Sequence, residues 1–201
     1  MFQHYLGIDV SKDILDVVLS DGINRFSQVF KNSGVGFTHL LRWVISHQPG
    51  SVHVCLEATG QYGEGVAEYL YDAGYMVSVV NPLRIKRYGD SKLHHNNTDK
   101  ADAALIAEFC LKENPASWEP LPPHIKHLRE LVRRLDDLRT NFQQEKNRLK
   151  SDLVDKWVLD DLKSHLEELH EHIQALKIVI QQFIADTPDL AHQSELLNSI
   201  P

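Results

Sequence analysis

Cysteine is scarce in this chain: 2 of 201 residues, Cys55 and Cys110, both set in apolar surroundings (VHVCLEA and IAEFCLK). So few thiols exclude a disulfide framework, no cysteine ligand spacing for a metal is present, and both read as buried free thiols. Long apolar runs are missing too. Nothing approaches the roughly 18 to 20 residues that cross a bilayer, and the opening MFQHYLGIDV lacks the basic and apolar regions of a secretory leader, so a cytoplasmic protein is expected. There is no glycine-rich phosphate loop and no Gly-x-Ser-x-Gly turn. His124, His127, His165, His170 and His172 do not fall at zinc-ligand spacings and read as surface histidines. An overall basic charge is also lacking, since the formal net charge is −7. That total conceals a division along the chain: Lys and Arg against Asp and Glu number 4 to 8 over residues 1–80, 14 to 10 over 81–150, and 3 to 10 over 151–201. Only the middle is basic.

What is present suffices for a folded core: 42% of residues are hydrophobic and 24% charged, consistent with one main domain and an accessory element. Apolar runs at 5–9, 13–19 and 25–30, the last two separated by Asp21-Gly22, read as three strands of an antiparallel meander. After Asn32-Ser33-Gly34, the helical spacing of Phe37, Leu40, Leu41, Val44 and Ile45 predicts a first helix ending by Pro49-Gly50. Residues 52–57 read as a buried strand, 63–73 as a helix stopped by Gly74, and 75–80 as a strand stopped by Asn81-Pro82. The order β-β-β-α-β-α-β is that of a ribonuclease H-like α/β domain. From 82 to 98 the chain is polar and basic, and an alanine-rich helix follows over 99–112. Four prolines in 114–123 mark a boundary. The expected division is therefore an α/β domain over 1–114, a Pro-rich linker over 115–123 and helices over 124–201. In the last part Leu128, Leu131, Leu135, Leu138, Phe142 and Leu149 follow a heptad spacing, as do Leu159, Leu162, Leu166, Leu169, Ile173, Leu176, Ile180 and Phe183. The phase changes near 151–158, which predicts an all-α coiled-coil helical hairpin.

Four carboxylates fall where such a fold gathers ligands. Asp9 and Glu57 sit at the ends of two apolar strands, and ligands collect beside the carboxyl ends of neighbouring parallel strands. Asp99 and Asp102 share a face at the start of the alanine-rich helix. Taken singly, a strand-end aspartate is a solvated turn former, and Asp99 can cap its helix. Together the four would repel one another unless neutralised, and Mg²⁺ or Mn²⁺ suits carboxylate and water ligands. Two such ions would stabilise the attacking and leaving oxygens of an in-line phosphoryl displacement.

The blocks GIDVSK (7–12), LEATG (56–60), NP (81–82) and TDKADAALIA (98–107), in this order and spacing, resemble the amino-terminal DEDD domain of IS110/IS1111-type transposases, relatives of the Piv invertase. The resemblance continues through the basic helix at 129–149. It implies a RuvC-like fold in which Asp9, Glu57, Asp99 and Asp102 correspond to the metal-binding, catalytic acids. It further implies a transposase or site-specific recombinase of an insertion sequence, guided by a non-coding RNA to the DNA it cuts and rejoins. It also implies a carboxy-terminal domain bearing a nucleophilic serine. The chain stops at NSIP (198–201), where that domain would open, so a truncated and by itself inactive fragment is expected, and Ser199 is not that serine. Asn97 departs from the basic residue that many relatives carry before Thr-Asp.

The basic middle fits nucleic acid. Arg84, Lys86, Arg87 and Lys92, with His94 and His95 nearby, form one cluster, and Lys126, Arg129, Arg133, Arg134, Arg139, Lys146, Arg148 and Lys150 stripe the first long helix. Tyr88 could stack on a base or simply pack. The same helix charges would also suit the solvated face of a coiled coil. Two other functions fit part of the pattern. GIDVSK also resembles the first phosphate motif of sugar kinases, which would demand a second glycine-rich segment that this chain lacks. A non-catalytic RNA-binding and oligomerisation module, its heptads joining copies into a dimer or higher homo-oligomer, is the main alternative.

Overall fold

Successive residues of a continuous apolar run point to opposite faces of a strand, so such runs need cover on both faces of the sheet, and the chain supplies it with helices. The structure, a computed structural model, describes residues 2–47, 49–58, 60–91, 99–151 and 155–198. Its elements in chain order are β1 (His4–Val10), β2 (Ile14–Ser20), β3 (Arg25–Lys31), α1 (Gly34–Ser46), β4 (Val52–Glu57), α2 (Gln61–Asp72), β5 (Met76–Val80), α3 (Pro82–Ser91), α4 (Asp99–Glu113), α5 (Pro123–Leu149), α6 (Lys156–Asp186) and α7 (Pro188–Asn198). The strands form one sheet in the order β3-β2-β1-β4-β5. β1, β2 and β3 pair antiparallel and β1, β4 and β5 pair parallel, the ribonuclease H-like arrangement. The β2–β3 turn closes on Asp21, whose Oδ1 accepts the amides of Ile23 (2.7 Å) and Asn24 (2.6 Å). With the Asn24 side chain as the largest contributor, these bonds hold the Asp21 carboxyl down at about 2.

Period-two alternation divides β1, β2, β4 and β5 between two layers, while β3 is mostly exposed. Leu6, Ile8 and Val10 of β1 join Leu15, Val17 and Leu19 of β2 against Leu40 and Val44 of α1 and Val66 and Leu70 of α2. On the opposite face Tyr5, Cys55 and Val80 pack with Ile106, Phe109 and Cys110, and Val18 with Ala103 and Ala107, so α4 is the cover there. Both cysteines are free and buried as expected. A hydrogen bond to Cys55, then burial, pushes the Cys110 thiol far up.

One buried polar pair joins β4 to β5. His53 and Ser78 are both 0% exposed, with Nε2 of His53 2.8 Å from Oγ of Ser78. The hydroxyl reaches the carbonyls of Ala116 (2.8 Å) and Pro115 (3.1 Å). A hydroxyl has one proton and gives it to a carbonyl, so His53 must be the donor of the first bond. Burial pushes the His53 pKa down, in keeping with a neutral ring. The main-chain amide of Trp118 donates to the Val77 carbonyl (2.7 Å), and the proline-rich segment is thereby laid along β5.

The chain divides into two units, one up to Pro120 and one from Leu121 on. In the second, α5 and α6 run antiparallel: the His127 ring lies 4.6 Å from that of Phe183, and Phe142 lies 6.3 Å from His170. Leu128, Leu131, Leu135, Leu138 and Phe142 meet Leu169, Ile173, Leu176, Ile180 and Ile184 between them. Asp155 caps α6 by accepting the amide of Val158 (2.9 Å). Two helices go beyond the expected elements: α3, where the sequence shows a polar and basic stretch, and α7. No described helix is long and apolar enough to cross a membrane.

Candidate metal centre

The parallel register of β1 on β4 sets the first two acids. Gly7 pairs with Cys55 and Ile8 with Leu56, so one further step brings Asp9 level with Glu57, the last residue of β4. By alternation Asp9 shares the α4 side of β1 with Tyr5 and Gly7, and Glu57 shares the α4 side of β4 with Cys55. Gly7 then decides how near the helix can come. A Cβ there would stand 2.2 Å from the Ala103 carbonyl oxygen and 2.4 Å from the Ala107 amide nitrogen. The backbone of α4 therefore rests directly on β1, with buried Ala103 and Ala107 at the contact. This close approach carries Asp102, one residue ahead of Ala103, to the strand ends.

Asp9, Glu57 and Asp102 line one cleft of about 770 Å³, together with Arg25, Asn81, Lys86 and Glu108. All three acids are half-buried. The Glu57 carboxyl is pushed up, first by burial and then by the charge of Asp102. That repulsion is the electrostatic cost a bound cation would relieve. Among the described residues no three histidine, cysteine, aspartate or glutamate side chains stand close enough to hold one metal ion. Asp99 is the first residue of α4, and its side chain lies outside the described residues.

Several residues in or beside the cleft are not marked by any motif in the sequence. Asp16 stands opposite Asp9 in the β1–β2 register and is buried at 8% exposure on the α4 face. An acid inside the apolar run ILDVVLS was the available signal. Arg25 reaches Glu108 across 3.4 Å from 83 positions away, a pairing that no local pattern reveals. Asn81 is more than a strand stop, because its Oδ1 accepts the Leu83 amide (2.8 Å) and caps α3. Asn followed by Pro is a helix-start signal, here masked by the basic composition that follows.

The basic residues are divided between the two units. On α3, Arg84, Lys86 and Arg87 are exposed, and the Arg84 guanidinium sits 5.5 Å above the Phe109 ring. Tyr88 meets Phe109 edge-on at 5.4 Å, which is packing. Lys92, His94, His95 and Asn97 lie outside the described residues. On α5, Arg133, Arg134 and Lys146 are exposed, as is Lys150 just past its end, Arg139 pairs with Asp136 at 3.3 Å and Arg148 with Glu145, and Lys126 and Arg129 are half-buried.

A family profile described as Transposase, that of the IS110-type DEDD group, matches residues 6–157. The chain belongs to the IS110 DEDD transposase family. All four acids and the whole of α5 fall inside the matched span. Across its full length this IS110-family chain is 31% identical to a pilin gene-inverting protein of Moraxella bovis and 30% identical to that of Moraxella lacunata. It spans 62% of the length of each. Among solved structures it is similar to T. thermophilus RuvC in complex with a Holliday junction substrate, with a TM-score of 0.42 and 17% identity. That likeness covers 57% of this chain and 98% of the other.

Proposed function

We propose that this chain is the metal-binding and nucleic-acid-binding part of a transposase-type site-specific recombinase that cuts and rejoins DNA. Asp9, Glu57, Asp99 and Asp102 hold Mg²⁺ or Mn²⁺. The observation that carries this reading is the level placement of Asp9 and Glu57 on neighbouring parallel strands, with Asp102 in the same cleft. The donor set fits the ion: it is all-oxygen and anionic, Asp9, Glu57 and Asp102 are half-buried, and the Glu57 carboxyl is pushed up by burial and then by the charge of Asp102. When bound, a divalent ion there supplies stabilisation of the oxygen charges in phosphoryl displacement. The protein's own residues do the rest of the positioning. Gly7 admits α4, and exposed Lys86 at the cleft attracts a phosphate backbone.

The basic residues of α3 and α5 take a guide RNA and the DNA it selects, and the α5–α6 pair joins copies into a homo-oligomer. The nucleophilic serine belongs to a domain outside these 201 residues, which act in the cytoplasm and bind metal and RNA without completing strand exchange alone. A second reading, an RNA-binding and oligomerisation module, is favoured by one observation: no three described acids are assembled around a point. A calorimetric Mn²⁺ titration of the chain beside its Asp9→Asn variant separates the two. Saturable binding lost in Asp9→Asn is expected; absence of binding in the unaltered chain would leave the non-catalytic module.

A further inference from the structure

The side chain of Asn32 ties together the two segments that follow the strand-end acids. Its Nδ2 donates to the carbonyl of Ser11, two residues after Asp9, at 2.8 Å, and to the carbonyl of Tyr62, in the first turn of α2 and five residues after Glu57, at 3.0 Å. Both partners are acceptors only. The amide is therefore oriented without ambiguity, its two N–H groups are both used, and a carboxylate of the same shape could satisfy neither. The main-chain amide of Asn32 donates to Asp13 (2.9 Å), and Ser33 caps α1 through the Gly36 amide (3.3 Å), so the residue is held where β3 passes into α1.

β1 and β4 are hydrogen-bonded neighbours up to Ile8 and Leu56, but β1 ends at Val10 and β4 at Glu57. Beyond that level the ladder no longer couples the two strands. We infer that Asn32 is a positioning residue for the carboxylate site: its bidentate amide replaces the missing ladder just past the strand ends and fixes the spacing of Asp9 and Glu57. This rests on the proposed metal site and extends it to a residue that touches no ion and no substrate. Groups that orient metal ligands without touching the metal typically govern affinity by about ten- to a hundredfold.

The test measures Mn²⁺ affinity by calorimetry and metal-free thermal unfolding on the 201-residue chain, for Asn32→Asp, Asn32→Ala and Ser33→Ala. Asn32→Asp puts a carboxylate against two carbonyl oxygens and adds negative charge near the acids. A purely electrostatic influence would tighten Mn²⁺ binding, whereas loss of positioning weakens it by about tenfold. Asn32→Ala should weaken it less, because water can replace the lost donors. Ser33→Ala removes the adjacent α1 cap and should lower thermal stability while leaving Mn²⁺ affinity unchanged. Binding by Asn32→Asp as tight as the unaltered chain, or equal weakening by Ser33→Ala, overturns the inference while the metal site stands. If the unaltered chain binds no Mn²⁺, the metal site falls and the inference with it. Should Asn32→Asp fail to unfold cooperatively, Asn32→Ala against Ser33→Ala decides by the same criteria.

Discussion

Replacing Gly7 with alanine probes the contact on which the candidate site depends. The added Cβ would lie 2.2 Å from the Ala103 oxygen, 2.4 Å from the Ala107 nitrogen and 2.9 Å from the Ala107 Cα, all backbone atoms of α4. Backbone cannot rotate away as a side chain can, so α4 must retreat by roughly 1 Å to restore ordinary contact. Overpacking of this kind costs about 1–3 kcal/mol. At ~2–4 °C per kcal/mol for a chain of this size, the melting temperature should fall by roughly 2–12 °C. The functional loss should be larger than the stability loss suggests. Asp102 moves with the helix while Asp9 and Glu57 stay, and displacements of about 1 Å can cost a site on the order of a hundredfold. Differential scanning calorimetry and a Mn²⁺ titration read both effects. Gly34→Ala is the control, since a Cβ added there would meet no atom within 4 Å and the backbone needs no special conformation. A Gly7→Ala protein that melts with the unaltered chain and binds Mn²⁺ equally well would refute the claim that backbone contact sets the α4 position.

Other perturbations follow from the same geometry. Glu57 has its folded pKa raised, so its charge is a cost at high pH that vanishes as pH falls through that value. Without metal, Glu57→Gln should be the more stable protein at about pH 8, and its advantage should shrink on acidification; a less stable Glu57→Gln under those alkaline conditions would contradict the cost assigned to burial and to the Asp102 charge. Mn²⁺ at about a hundred times its Kd should stabilise the unaltered chain by ~2.7 kcal/mol and reverse that ranking. Ser78→Ala strands the His53 Nε2–H in the core and should cost about 1–3 kcal/mol, read from the denaturant midpoint; an unmoved midpoint would show that the buried pair contributes little. Neutralising Arg129, Arg133 and Arg134 together should reduce the slope of log binding constant against log salt for single-stranded RNA by about 2. An unchanged slope would remove α5 from the nucleic-acid surface.

Much of the first unit was legible because its signals are local. The Asp21-Gly22 turn, the Asn32-Ser33-Gly34 break and the apolar runs locate the meander and α1, and the change from strand to helix periodicity locates β4, α2 and β5. Helix α3 was obscured because its basic surface residues mask the short apolar spacing of Ile85 and Gly89 that faces α4. In the second unit the heptads marked both long helices and the break between them. They did not choose the partner of each stripe, since a heptad satisfies itself equally against another segment or another copy.

By itself the sequence determined the order of the strands and of every helix except α3 and α7, the four candidate acids, and the confinement of positive charge to the middle of the chain. These depend on residue type and short-range spacing, which fold topology cannot alter. Only the tertiary structure decided that β1 and β4 are parallel neighbours in a register that levels Asp9 with Glu57. It alone revealed that Gly7 lets α4 touch the sheet, that Asp16 is buried opposite Asp9, and that Arg25 and Asn32 meet partners far along the chain. Register and close approach arise from backbone pairing between distant segments, and no local pattern of side chains encodes them.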